Sequence, residues 1–240
     1  MQSKRTRLDR FISQKTGINR RDVRQILAQG RLRIDGEKAH SINQPVEQFT
    51  HVTLDEQVLQ AAKPVYIMLH KPKGVVSATR DEHHPTVIDL LDREDSANLH
   101  IVGRLDFNSS GLMLLTNDGR WSRELTAPES KVTKVYRVTL QNPVGADAVD
   151  AFASGMYFPY EGITTRPAAL KIISERVAEV SLVEGRYHQI KRMFGRFRNP
   201  VVELHRVSIG GLCLDESLEP GESRELSVGE VHTVNLSPVL

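Results

Sequence analysis

A chain of 240 residues with a formal charge of +2 and a single cysteine is long enough to bury a proper core, as one large domain or as a medium domain plus a small one. One cysteine excludes an intrachain disulfide, and no Cys or His pair has zinc-ligand spacing, so no metal site is expected. The first ten residues are basic without an apolar stretch, and the longest clean apolar run, Val65–Leu69, falls far short of the ~20 residues a membrane helix needs; the expected location is cytoplasmic.

The charge is uneven along the chain. Residues 1–50 hold eleven Lys and Arg against five Asp and Glu, a surplus of six, which leaves −4 for the remaining 190. A basic N-terminal segment on a slightly acidic body is the footprint of a small anion-binding module attached to a second domain.

In chain order, Leu8, Phe11 and Ile12 repeat at i, i+3, i+4 behind Thr6 as cap, and Gly17 stops the helix. Asn19 caps a second helix with Val23, Ile26 and Leu27 as its apolar stripe and Gly30 at its end, which leaves Arg20, Arg21 and Arg24 largely off that stripe. Leu32 and Ile34 alternate with Arg31 and Arg33 into Asp35-Gly36, a type I′ hairpin signal, and His51–Leu54 reads as a later strand of the same unit. Two helices and a small basic hairpin, from Arg7 to Pro45, resemble the S4 RNA-binding module. The resemblance implies that one helix face and the hairpin grip structured RNA, with contacts from Arg7, Arg10, Arg20, Arg21, Arg24 and Arg33.

Asp55 to Pro64 lacks a strong period and ends in Lys63-Pro64, the pattern of a linker. Beyond it, strands are expected at 65–69, 75–79, 99–102, 112–116, 135–140, 167–173, 177–183 and 201–204, with short helices at 86–91, 121–125, 146–152 and 187–195. Strands outnumber helices without regular alternation. The expected fold class is therefore α+β: a small αα-β domain at 1–58, then a larger domain at 62–235 built on a mixed, mostly antiparallel sheet.

The richest stretch runs Gly103-Arg104-Leu105-Asp106-Phe107-Asn108-Ser109-Ser110-Gly111-Leu112 and on to Asn117-Asp118-Gly119, placing a lone acid and an arginine in a polar loop between two buried strands. Residue types alone leave it open whether Asp106 is a turn former or a catalyst. The stretch resembles the catalytic motif of pseudouridine synthases, in which the Asp of Gly-Arg-Leu-Asp is the nucleophile. Lys134-Val135-Tyr136-Arg137-Val138 is similar to that family's strand with the active-site tyrosine. Glu184-Gly185-Arg186-Tyr187-His188-Gln189-Ile190-Lys191-Arg192-Met193-Phe194 is similar to the motif whose basic residue pairs with the catalytic carboxylate, and Leu69-His70-Lys71-Pro72-Lys73-Gly74-Val75 to the one that opens the catalytic domain. Within the family the resemblance is to the RsuA group, acting on small-subunit ribosomal RNA, through His84-Pro85-Thr86-Val87, Thr165-Arg166-Pro167-Ala168 and Val202-Glu203-Leu204-His205-Arg206.

The resemblance implies an isomerase acting as a monomer on ribosomal RNA, with Asp106, Tyr136 and Lys191 catalytic and Arg104, Arg186, His188, Gln189 and Arg192 on the RNA. The family often has Arg where Lys191 falls, so either Lys191 or Arg192 could meet Asp106; the alignment of His-Gln-Ile-Lys favours Lys191. Breaking N1–C1′, turning the base and joining C5 to C1′ consumes nothing, and no nucleotide-binding motif is present, so no cofactor is expected. A base stacked in RNA must first be flipped out, with Arg104 to hold the gap and Tyr136 to stack on the base. A large-subunit RNA substrate or a non-catalytic assembly factor are the alternatives, the second at odds with an intact nucleophile set. A two-carboxylate hydrolase lacks its second acid, because Asp118 is expected across a strand from Asp106.

Overall fold

A computed structural model describes residues 5–234, in two compact units that divide between Pro64 and Val65. In the first unit, Leu8, Phe11, Ile12, Val23, Ile26, Leu32, Val52 and Leu54 close one core between helices Leu8–Thr16 and Arg20–Ala28 and a four-stranded antiparallel sheet. The sheet order is Glu37–Lys38, Leu32–Ile34, Val52–Leu54, Gln57–Gln60. Gly17 takes φ 77° to end the first helix, and the Asn19 side chain accepts from the Arg21 backbone to start the second. Asp35 and Gly36 both have positive φ, 51° and 86°, as a type I′ turn requires. Thr6 is not a cap: Thr6–Arg7 pairs with Pro45–Val46, and Arg7 precedes the helix with no side-chain cap bond. Asp55–Pro64 is not a free linker either, because Asp55 and Glu56 turn the chain into strand Gln57–Gln60 and Asp55 is clamped by Arg31.

The second unit is built on a nine-stranded sheet among the described residues. The main path runs Ala169–Ser174, Val177–Leu182, Lys134–Leu140, Val201–Ile209, Ser110–Thr116, Tyr66–Lys71, Ser223–Glu225, with His100–Val102 and Leu212–Cys213 paired beside it. Every pairing is antiparallel except one. Ser110 and Gly111 run parallel to His205 and Arg206. Alternate residues of the central strands enter opposite cores: Ile67, Leu69, Met113 and Leu115 on one face, Met68, Leu112 and Leu114 on the other, the two-residue period of a sheet covered on both sides. Helices Ala146–Ser154 and Gln189–Gly195 close the first face through Phe152, Ile190, Met193 and Phe194, while Trp121 and Leu125 of helix Gly119–Thr126 close the second.

The segment 75–79 is not a strand; only Val76 bridges to Thr86. Residues 86–91 form turns rather than a helix, since the Thr86 backbone N–H and hydroxyl both donate to Asp89. The strand expected to stop at Leu204 continues to Ile209, which matters for the site. The hairpin Tyr157–Phe158/Ile163–Thr164 and the helix Val228–Thr233 lie outside the expected elements, although Ser227 and Glu230 form a capping box at the start of that helix.

Candidate active site

Gly103–Ser109 links strands His100–Val102 and Ser110–Thr116, themselves an antiparallel pair. Its backbone is held from below by two fully buried cations. The Lys71 ammonium donates to the carbonyls of Pro72 (2.9 Å), Asp106 (3.2 Å) and Ser109 (2.8 Å), matching its three donors. The Arg206 guanidinium donates to the carbonyls of Leu112 at 2.7 Å and Gly103 at 3.0 Å. Burial pushes Lys71 down to about 8, the neighbouring Arg206 charge acting the same way and Asp106 opposing it. The Ser77 hydroxyl donates to the Leu105 carbonyl at 2.6 Å and accepts from its N–H at 3.0 Å. The parallel contact sets one more requirement. Gly111 has φ +110°, and a Cβ there would lie 2.3 Å from the Arg206 carbonyl oxygen.

With its backbone fixed, Asp106 presents its carboxylate to the start of helix Gln189–Gly195. Lys191 Nζ donates to Asp106 Oδ2 at 2.9 Å, and His188 Nε2 lies 3.4 Å from the same oxygen. All three side chains remain about one-third exposed, at 30%, 29% and 35% for Asp106, Lys191 and His188, so the carboxylate is held yet accessible. Arg192 turns the other way. It pairs with Glu161 at 2.6 Å and stacks its guanidinium 3.8 Å over the Phe158 ring.

A cleft of about 740 Å³ opens alongside, with Gly103, Arg104, Lys134, Tyr136, Arg166, Arg186 and Tyr187 in its walls. Asp106 and Lys191 are not among its lining residues; the Asp106 loop enters it through Gly103 and Arg104. Tyr136 is 8% exposed and sits opposite Arg206 across the strand pair. Lys134, two residues earlier on the same strand face, is pushed down to about 8 by burial and then by the charge of Arg206. Arg104 is exposed at the cleft.

Other expected RNA contacts divide. Gln189 is buried and spends its amide on Glu184 and the Arg186 backbone, so it supports the loop rather than facing RNA. Arg186 is exposed but paired with Glu184 at 3.1 Å. In the first unit Arg10, Arg21, Arg24 and Arg33 are exposed. Arg7 and Arg20 are about half exposed and both reach buried Asp9, at 3.1 and 2.8 Å; burial alone would raise the Asp9 carboxyl, but its hydrogen bonds from Arg20 and Arg10 and the nearby charges hold it below the usual range. Sequence reasoning missed Lys71, Lys134 and Arg206 as parts of the site, and the contact of His188 with Asp106. Asp118 does stand apart from Asp106, capping helix Gly119–Thr126 and accepting from the Tyr66 hydroxyl at 3.0 Å. Among the described residues no group of three or more His, Cys, Asp or Glu could hold a metal ion, and no helix is long and apolar enough to cross a membrane.

A loop carboxylate caught between a lysine and a histidine, beside a basic cleft on a mixed sheet, stands on a chain that matches the RNA pseudouridylate synthase family over residues 65–195 and the S4 domain over residues 6–52. The chain belongs to the RNA pseudouridylate synthases, and is thus an isomerase with an S4 domain at its N-terminus. It is 51% identical to ribosomal small subunit pseudouridine synthase A of Pseudomonas aeruginosa, across 95% of this chain and 100% of that one. The Escherichia coli K12 protein of the same name is 42% identical, across 95% and 99%. A crystal structure of a pseudouridylate synthase superposes with a TM-score of 0.70 at 38% identity, covering 95% of this chain and 99% of that one.

Proposed function

We infer that this protein isomerises one uridine of small-subunit (16S) ribosomal RNA to pseudouridine, acting as a cytoplasmic monomer. The observation that carries the mechanism is the Asp106 carboxylate, fixed by Lys191 at 2.9 Å and left about one-third exposed. Nucleophilic attack needs a carboxylate oxygen that is held in place yet accessible, and the ammonium at this distance orients it. Attack at C1′ displaces N1 directly, whereas attack at C6 of the ring is followed by a separate cleavage of N1–C1′; on either route the base leaves the ribose carbon and can turn to present C5. The C5–C1′ bond then forms, the carboxylate is released, the C5 hydrogen leaves as a proton and N1 takes one up, so nothing is consumed. Tyr136 packs against the flipped base and Arg104 holds the RNA beside it. The exposed arginines of residues 1–58, with catalysis at 62–235, supply the phosphate contacts that dominate affinity. The substrate class follows the names of the relatives.

Asp106→Asn keeps shape and hydrogen-bonding capacity while removing charge and nucleophilic oxygen. On small-subunit RNA labelled with tritium at uridine C5, release should vanish while filter binding is retained. Appreciable release by Asp106→Asn would remove Asp106 from this role. A pseudouridine lost from large-subunit instead of small-subunit RNA, in cells lacking the protein, would move the substrate.

A further inference from the structure

Tyr187 is 76% exposed, although it stands in the wall of the cleft beside the candidate nucleophile. Its ring lies 3.8 Å from that of His188 with only 19° between their planes. His188 is itself fixed, with φ 50° at the start of helix Gln189–Gly195 and Nε2 3.4 Å from Asp106 Oδ2. The pair is therefore a preformed stack, covered on the His188 side and open on the outer face of Tyr187. A phenol ring held in one orientation and left to solvent on one face is the geometry on which nucleobases stack, in a sequence-tolerant way.

We propose that the outer face of Tyr187 is a stacking site for an unpaired nucleobase adjacent to the target uridine; this rests on the functional reading above. The reacting base cannot be the occupant. It must touch Asp106, whereas a base on the outer face of Tyr187 lies two layers from the His188 ring, about 7 Å at roughly 3.4 Å per layer. That spacing suits a neighbouring nucleotide of the same strand. The arrangement also gives flipping a place for the disturbed neighbour. A base that loses its stacking partner when the uridine leaves the helix regains one on Tyr187, which offsets part of the unstacking cost. Arg104, exposed in the same cleft, supplies a cation for the phosphate between the two nucleotides.

The test uses a small-subunit RNA fragment that the full-length protein converts, with 2-aminopurine placed in turn on each nucleotide flanking the target uridine. Stacking on Tyr187 should quench the fluorescence at one of the two positions in the wild-type complex. Tyr187→Ala should abolish that quenching and weaken affinity about ten-fold. Tyr187→Phe and Tyr187→Trp should restore both, which a purely structural role for the hydroxyl would not allow. Tyr187→Ala that converts and quenches as wild type does, or quenching at neither position in an active wild-type complex, would overturn the stacking site while leaving the enzyme reading intact. A wild-type protein that converts no uridine in small- or large-subunit RNA would bring down both.

Discussion

Replacing Lys191 by Met separates two roles a lysine near RNA can have. The ammonium lies 2.9 Å from Asp106 Oδ2, and the two side chains are 29% and 30% exposed. Two unit charges about 4 Å apart attract by ~1 kcal/mol in water and ~4 kcal/mol at an effective dielectric near 20, and solvent-exposed pairs measure ~0.2–1 kcal/mol. A pair exposed by about one-third falls between, at about 1.5–3 kcal/mol, and if that attraction serves the reactive carboxylate the rate should fall roughly 10- to 150-fold. Single-turnover tritium release should show this loss, with affinity little changed. The slope of log affinity against log salt should also hold, because an ammonium spent on Asp106 displaces no counterion from phosphate. A Lys191→Met variant that turns over at the wild-type rate while its salt slope shallows by about one would refute the reasoning and make Lys191 a phosphate contact.

Gly111→Ala should destabilise the second unit by more than ~2 kcal/mol, because its Cβ would overlap the Arg206 carbonyl oxygen at 2.3 Å in a backbone conformation with φ +110°; an unchanged thermal midpoint would show that the parallel contact is not formed. Arg21→Glu with Arg24→Glu, both exposed on the second helix, should weaken RNA binding and shallow its salt slope by about two or more, and an unaltered slope would clear that helix of phosphate contact. Asp215 is held down to about 2 by Ser217 and then Arg224, and Glu230 to about 2 chiefly by Arg224. Depressed carboxylates contribute stability above about pH 4 that is lost as pH falls towards 2. Arg224→Met should therefore have a lower urea midpoint than wild type at pH 7 and a gap that narrows between pH 4 and 2; a constant gap would show that Arg224 acts through packing alone.

Elements governed by local chemistry were legible in the sequence. Gly17 and Asp35-Gly36 mark positive-φ backbone that only a few residues accept, Asn19 supplies a side-chain cap, and all three mark real boundaries. The unbroken apolar run Leu112–Leu115 marks a buried strand, and in the structure its residues alternate between the two cores. Errors came where long-range partners decide. Residues 75–79 have the composition of a strand, but only Val76 finds a bridge, and composition carries no information about a missing neighbour. Lys71, next to Pro72 and Lys73-Gly74, reads as an exposed turn residue, yet it ends strand Tyr66–Lys71 and is fully buried. Arg206 was hidden because the apolar run stops at Leu204, while the strand goes on to supply a cation whose acceptors lie more than ninety residues earlier. Lys191 and Arg192 were indistinguishable in sequence because adjacent helical residues point about 100° apart, and only the position of Asp106 says which direction matters.

The four basic groups around the Asp106 loop do two different kinds of work. Lys71 and Arg206 are 0% and 1% exposed and spend their donors on backbone carbonyls. Buried carbonyls stripped of their donors are costly, so these two cations have little freedom to move when RNA arrives. Lys191 and His188 contact only the carboxylate of Asp106 among the hydrogen bonds and ion pairs of the site, from the partly exposed side. Both sit on or next to the first turn of helix Gln189–Gly195, whose buried residues Ile190, Met193 and Phe194 belong to the main core. The loop is thus anchored to the sheet and its carboxylate to a helix on that sheet's face. A carboxylate placed between two rigid elements needs no rearrangement of its own backbone to act, so in the proposed reaction the cost of reaching the reactive geometry falls mainly on the RNA.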